Sequence, residues 1–278
     1  MLALACGSLG SSIPPTTTHT YPVALNYVLA TNILEVGEQR VSFLLSTPNG
    51  ILKTSSAMVT PVYLEGDGPA YSTIEAQFNL WPYGIRGSYT AYANFDRPGR
   101  WRLDLQVDNP NGVDEIQINL NVLDKSPVPS VASKALLSET KTLARYGPIE
   151  LITTDYSPDP DLYRLSVHEA VQISRPSMIV FASPAFCTSP TCGPQVGELT
   201  KVKETLGGQA NFIHVEVYED PHLIEGDRPT MTLIPAVAEW NLPTEPWTFI
   251  VDKNGLISAK FEQFTTADEI KAKLLEIL

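Results

Sequence analysis

The hydrophobic pattern of this 278-residue chain changes its period once, and that change divides what the chain can fold into. From about Tyr21 to Leu123, apolar residues alternate with polar ones: Val41, Phe43 and Leu45; Ile74, Ala76, Phe78 and Leu80; Trp101, Leu103, Leu105 and Val107; Ile116, Ile118, Leu120 and Val122. Successive side chains of a strand point to opposite faces, so each run predicts a half-buried strand. Pro48-Asn49-Gly50, Gly66-Asp67-Gly68, Asp96-Arg97-Pro98-Gly99 and Asn109-Pro110-Asn111-Gly112 separate the runs with residues that suit tight turns. Short strands at this spacing, with no convincing helix among them, predict an antiparallel β-sandwich over 21–124.

Residues 125–165 read as a linker and an irregular wrap. Ser126-Pro127-Val128-Pro129-Ser130 favours extended chain, because closely spaced prolines cannot donate to a helix or a ladder, and Ser157-Pro158-Asp159-Pro160-Asp161 is irregular for the same reason. From Ser166 to Leu278 helices and strands alternate. Ser166 and Glu169 have the spacing of a capping box, as do Thr266 and Glu269. Met178 to Ala182 predicts a short buried strand, and Val196, Leu199, Val202 and Leu206 one side of a helix that Gly207-Gly208 ends. Strands follow at Asn211–Tyr218, Trp247–Val251 and Leu256–Phe261, with a short helix at Pro235–Trp240.

Chemistry concentrates in Cys187-Thr188-Ser189-Pro190-Thr191-Cys192-Gly193-Pro194-Gln195, where a strand hands over to a helix. Amide N–H groups and the helix dipole at such a position favour thiolate over thiol. A disulfide between the two would close a short loop and stabilise it by about 2 kcal/mol. His214 and Glu216 fall on one face of a strand, with Glu219 just beyond, and His222 lies in the segment Asp220–Thr230. Hydrogen-bonded structural groups are the expected reading of these, with His168 exposed and Trp240 and Trp247 in the core.

The 19 basic and 31 acidic residues give a formal charge of -12, which repels a phosphate backbone, so nucleic acid is excluded as a partner. At the other end, Met1-Leu2-Ala3-Leu4-Ala5-Cys6-Gly7-Ser8 resembles the end of a bacterial lipoprotein signal, and residues 1–20 continue as a tether rich in Gly, Ser, Pro and Thr. A lipid on Cys6 would place the chain at the extracytoplasmic face of a bacterial membrane, where the pair Cys187 and Cys192 could persist as a disulfide.

Two resemblances follow from these residues. The passage Gly87-Ser88-Tyr89 to Phe95-Asp96-Arg97-Pro98-Gly99-Arg100-Trp101 resembles a hairpin of immunoglobulin-like bacterial accessory domains. Cys192-Gly193-Pro194, Pro246 ahead of a strand, and the turn Asp252-Lys253-Asn254-Gly255 resemble the thioredoxin-like family over 166–278, with Gln195 where that family has its second cysteine. The resemblance implies an α/β thioredoxin-like domain, a disulfide between Cys187 and Cys192, and thiol–disulfide exchange. In that reading Cys192 is the nucleophile, Cys187 the resolving thiol, Glu245 a proton carrier and Pro246 the shaper of a peptide groove. The alternatives are a redox-inactive accessory or interaction subunit with a structural disulfide, and copper delivery with His214 or His222. The peroxidase pattern fits poorly, since Pro184 and Thr188 are spaced for a cysteine one residue before Cys192. No cofactor or metal is expected. The expected partner is a protein or protein thiol, in solution or in a membrane complex.

Overall fold

The computed structural model of the chain describes residues 25–278 apart from 67, 83, 85, 110–111 and 225–230. Cys6, the tether over 1–20, and residues 225–230 of the segment Asp220–Thr230 lie outside the described residues. Eight strands form one sheet: β1 (Asn26–Leu29), β2 (Gly37–Thr47), β3 (Gly50–Ile51), β4 (Ser56–Tyr63), β5 (Ile74–Leu80), β6 (Gly87–Phe95), β7 (Gly99–Asn109) and β8 (Gly112–Val122). The hydrogen-bonded path runs β1-β2-β6-β5-β4-β7-β8, with β3 added to β2 and every pairing antiparallel. Its two ends approach each other. Val36 N–H donates to Leu123 O at 3.0 Å and Leu123 N–H donates to Leu34 O at 2.9 Å, so the sheet curls into a nearly closed barrel.

The alternation in the sequence fills that barrel. Val41, Phe43 and Leu45 of β2 and Leu103, Leu105 and Val107 of β7 are buried, and Trp101 sits among Tyr71, Phe95 and Tyr63 with ring centroids at 4.8, 5.0 and 5.2 Å. Removing such a ring leaves a cavity that costs about 3–5 kcal/mol. Leu80, at the end of β5, departs from the pattern and is exposed.

The second sheet is smaller, with β9 (Ser177–Phe181), β10 (Asn211–Val215), β11 (Trp247–Val251) and β12 (Ile257–Glu262) in the order β10-β9-β11-β12. β9 and β10 are parallel, and the other two pairings are antiparallel. Every residue of β9, β10 and β11 is buried, which explains why these stretches read as continuous apolar runs. Among the described residues five α-helices accompany the sheets: α1 (Leu143–Tyr146), α2 (Val167–Gln172), α3 (Cys192–Leu206), α4 (Pro235–Glu239) and α5 (Ala267–Leu275). Val196, Leu199 and Val202 of α3 and Ile270 and Leu274 of α5 cover one face of the sheet through Met178, Val180 and Ile250. Val167, Ala170 and Trp240 cover the other through Ile179, Phe181 and Phe249.

This architecture corrects the two fold expectations. The strands of 26–122 form one continuous, barrel-like sheet, and the immunoglobulin-like pair of packed sheets is absent from the described residues. The thioredoxin-like α/β assignment of 166–278 is also set aside. The described chain is predominantly β, its second sheet is small and mixed, and four of its five helices are nine residues or shorter. The motifs behind the resemblance are local: a proline in a first helical turn, a proline ahead of a strand and an Asx-type turn each satisfy backbone chemistry wherever they occur, and say little about fold class.

Buried polar contacts join the two sheets. Arg40 of β2 forms an ion pair with Glu269 of α5 at 2.7 Å and donates to Phe264 O at 3.0 Å, while Tyr92 O–H donates to the same carboxylate at 2.6 Å. Lys260 of β12 pairs with Glu35 at 2.7 Å, and Glu35 also accepts from Ser126 N–H and the Ser130 hydroxyl. Arg40 also explains an asymmetry between the two capping boxes. In α2 the Ser166 and Glu169 side chains cap reciprocally, whereas at α5 Thr266 accepts from Glu269 N–H but the Glu269 carboxylate turns to Arg40. Glu269→Ala therefore leaves the Arg40 guanidinium buried without its anion. Urea denaturation is expected to show a loss of roughly 2–3 kcal/mol, near the lower end for a broken buried pair because Glu269 keeps 16% exposure; a loss below about 0.5 kcal/mol, the scale of a surface pair, would contradict the role given to this contact.

Candidate functional site

The cysteine loop leaves the end of β9 and returns at the start of α3. Phe186 and Cys187 N–H both donate to Ser183 O, at 3.3 and 3.0 Å, which turns the chain back on itself. Cys187 and Cys192 form a disulfide with their Cα atoms 6.0 Å apart. Cys192, the first residue of α3, is fully buried, and Cys187 is half-buried. Glu245 joins them: one of its carboxylate oxygens and the two sulfurs all lie within 4.8 Å of one another. Its Oε2 accepts from Ser183 N–H at 2.8 Å, which aims the carboxylate at the loop, and the Glu245–Pro246 peptide bond that leads into β11 is cis. The structure thus brings together Cys187, Cys192 and Glu245, with Pro246 buried directly beneath in sequence.

Three residues that sequence reasoning missed, or read differently, hold this corner in place. Gln263, at φ 64°, follows β12 and accepts from the Ser189 and Thr191 hydroxyls at 3.3 Å each. It also donates through Nε2 to Glu245 O at 3.1 Å and through its backbone to Pro246 O at 2.9 Å. Gln195, in the place where a second helix cysteine was sought, is fully buried and accepts from Thr265 N–H at 2.8 Å. Glu216 accepts from Thr154 N–H and Oγ1 at 2.9 and 2.7 Å, and Thr154 Oγ1 in turn accepts from Ala185 N–H at 3.2 Å, inside the cysteine loop. Even the positive φ of Gln263, next to a strand end, leaves no trace in the sequence, because glutamine is not a residue that announces it.

Burial shifts two titratable groups beneath the loop. It pushes the Glu216 carboxyl up, against hydrogen bonds from Thr154, and it pushes the His214 imidazole down to about 4. His214 lies between the Tyr163 hydroxyl at Nδ1 (2.6 Å) and Ala182 O at Nε2 (3.1 Å), so both its nitrogens are engaged. His222 is exposed, and among the described residues no histidine joins the cysteines and Glu245. Trp240 and Trp247 are core residues, buried on the face of the sheet that carries Phe249. Beside the loop a cavity of about 270 Å³ is lined by Thr188, Tyr218, Leu233, Leu242 and Pro243, with Glu245 at its edge. No helix among the described residues is long and apolar enough to cross a membrane.

No protein-family model and no curated protein matches the chain. The chemistry of the site therefore rests on its own geometry. A disulfide between one half-buried and one fully buried cysteine, a carboxylate near both sulfurs, and a helix N-terminus at the buried cysteine can support exchange with an external thiol.

The depressed His214 value has a definite consequence for stability. Between about pH 6.5 and about 4 the unfolded chain takes a proton on His214 that the folded chain refuses, so this group's contribution is intact above pH 6.5 and is lost as pH falls through that window. Nuclear magnetic resonance of the imidazole carbon-bound protons is expected to show His214 titrating near pH 4; a midpoint near 6.5 would contradict the enclosed, neutral ring.

Proposed function

We propose that Cys187 and Cys192 form a reversible dithiol–disulfide centre that exchanges electrons with thiols of a partner protein. The observation that carries this reading is the unequal exposure of the two cysteines at a helix N-terminus: Cys192 is fully buried and Cys187 half-buried. A thiolate of the partner attacks the Cys187 sulfur, the disulfide bond breaks, and a mixed disulfide forms while Cys192 departs as a thiolate. The first turn of α3 stabilises that leaving group. A second thiolate of the same partner then attacks the partner's own sulfur in the mixed disulfide and releases Cys187. Two electrons have passed from the partner dithiol to the pair, and the partner leaves as a disulfide. The reverse sequence reduces a partner disulfide, with Cys187 as nucleophile and Cys192 resolving. Exposure thus favours the opposite division of labour from the one the resemblance implied.

Glu245, close to both sulfurs, carries the proton between the Cys192 sulfur and solvent in this reading. Pro246 anchors the carboxylate to β11 rather than touching the reacting atoms. The proposed compartment is an oxidising one outside the cytoplasm, because an accessible disulfide persists there. A purely structural clasp is the competing reading, and the full burial of Cys192 is the observation in its favour.

Incubation with glutathione disulfide followed by intact-mass measurement separates them. In a Cys6→Ser background, Cys192→Ser is expected to leave Cys187 free to form a mixed disulfide rapidly, with Cys187→Ser reacting at least tenfold more slowly through the enclosed Cys192. Equal rates would overturn the assignment of roles, and the absence of exchange in both variants would overturn the redox reading.

A further inference from the structure

We propose that the reduced form of this same corner binds one divalent cation of the zinc class through Cys187 Sγ, Cys192 Sγ and a carboxylate oxygen of Glu245. The inference rests on the redox reading only in needing a pair that opens. Three ligand atoms supplied by three separate pieces of chain, the loop after β9, the first residue of α3 and the segment before β11, lie within 4.8 Å of one another. Zinc bond lengths of about 2.3 Å to sulfur and 2.0–2.2 Å to oxygen place tetrahedral ligands roughly 3.5–3.8 Å apart, so these atoms need only small side-chain rotations once the sulfur–sulfur bond is broken. The Cα atoms of the two cysteines, 6.0 Å apart, leave room for both thiolates on one ion.

The donor set selects the class of cation. Two thiolates exclude magnesium and calcium, which take oxygen ligands, and a carboxylate oxygen in place of a histidine turns the site away from Cu(I), which prefers soft ligands alone. Two thiolates and a carboxylate sum to three negative charges in a chain of formal charge -12, so a divalent cation relieves local repulsion instead of adding to it. The surroundings are built to orient the ligands. Ser183 N–H aims the carboxylate through Oε2, the Ser189 hydroxyl lies 3.5 Å from Cys187 Sγ, and Gln263 holds both the Ser189 hydroxyl and the Glu245 carbonyl. The half-buried position of Cys187 leaves a fourth position for water.

The balance is simple. A dithiol partner delivers two electrons and two protons and leaves as a disulfide, giving two thiols here; the cation then displaces both thiol protons and binds two thiolates. Metal and disulfide therefore exclude each other, and binding of the ion holds the pair reduced.

The test uses the full chain carrying Cys6→Ser, treated with a phosphine reductant without denaturant, its thiols counted, and then titrated with Zn²⁺ against a colorimetric chelator. The expected result is two thiols and one Zn²⁺ per reduced chain, none in the disulfide form, and at least tenfold weaker binding in Glu245→Gln. Co²⁺ in place of Zn²⁺ should give thiolate-to-metal charge-transfer absorption, lost in Cys187→Ser. Two thiols with no Zn²⁺ bound, or unchanged affinity in Glu245→Gln, would overturn the metal site and leave the redox reading standing. Failure to release any thiol from the native fold would overturn both.

Discussion

Four consecutive residues at the exit of β12 tie the whole molecule together. The Glu262 carboxylate accepts from Asn32 and Ile33 N–H at 2.8 and 3.0 Å and from the Thr244 hydroxyl at 2.7 Å, so it grips the barrel and the segment before Glu245 at once. Gln263 holds the cysteine loop, Phe264 packs on Trp81 of the barrel at 5.9 Å, and Thr265 binds Gln195 inside α3. Each contact alone is an ordinary hydrogen bond or ring contact of about 1 kcal/mol. Their arrangement along one short stretch makes the position of the cysteine loop depend on the packing of the barrel against the second sheet.

The electrostatics of the site follow from the same enclosure. A carboxylate next to two sulfurs opposes thiolate formation, while the N-terminus of α3 favours it at Cys192. In the proposed exchange the two influences act on different steps: the helix would stabilise the thiolate that leaves, and Glu245 would receive or return a proton. Beneath them, burial pushes the Glu216 carboxyl up and the His214 imidazole down, so both shifts act against charge in a second polar layer that adds hydrogen bonds to the floor of the loop. Thr154 connects that layer to Ala185, giving the loop a support that does not involve the disulfide.

Local pattern was the legible part of this chain. The alternation at Val41–Leu45 and Trp101–Val107 and the reciprocal cap of Ser166 and Glu169 depend on neighbours a few residues away, and the structure shows each of them. The pairing of Cys187 with Cys192 was also accessible, because the loop between them is short. What failed was long-range. Closure of the barrel depends on Leu34 meeting Leu123, the half-made cap of α5 on an arginine 229 residues earlier in the chain, and the grip on the cysteine loop on Gln263, 72 residues beyond Thr191. The family resemblance failed for a related reason: Cys-Gly-Pro, a proline before a strand and an Asx turn report backbone geometry over a few residues, and those residues recur under more than one architecture.

The proposed function requires that the Cys187–Cys192 disulfide open and close under biological conditions. Equilibration of the native chain with graded dithiol and disulfide mixtures, followed by thiol-specific mass labelling, gives its reduction potential. An accessible exchanging pair predicts a value between about -300 and -150 mV; a value below about -300 mV, the range of structural disulfides, would contradict it.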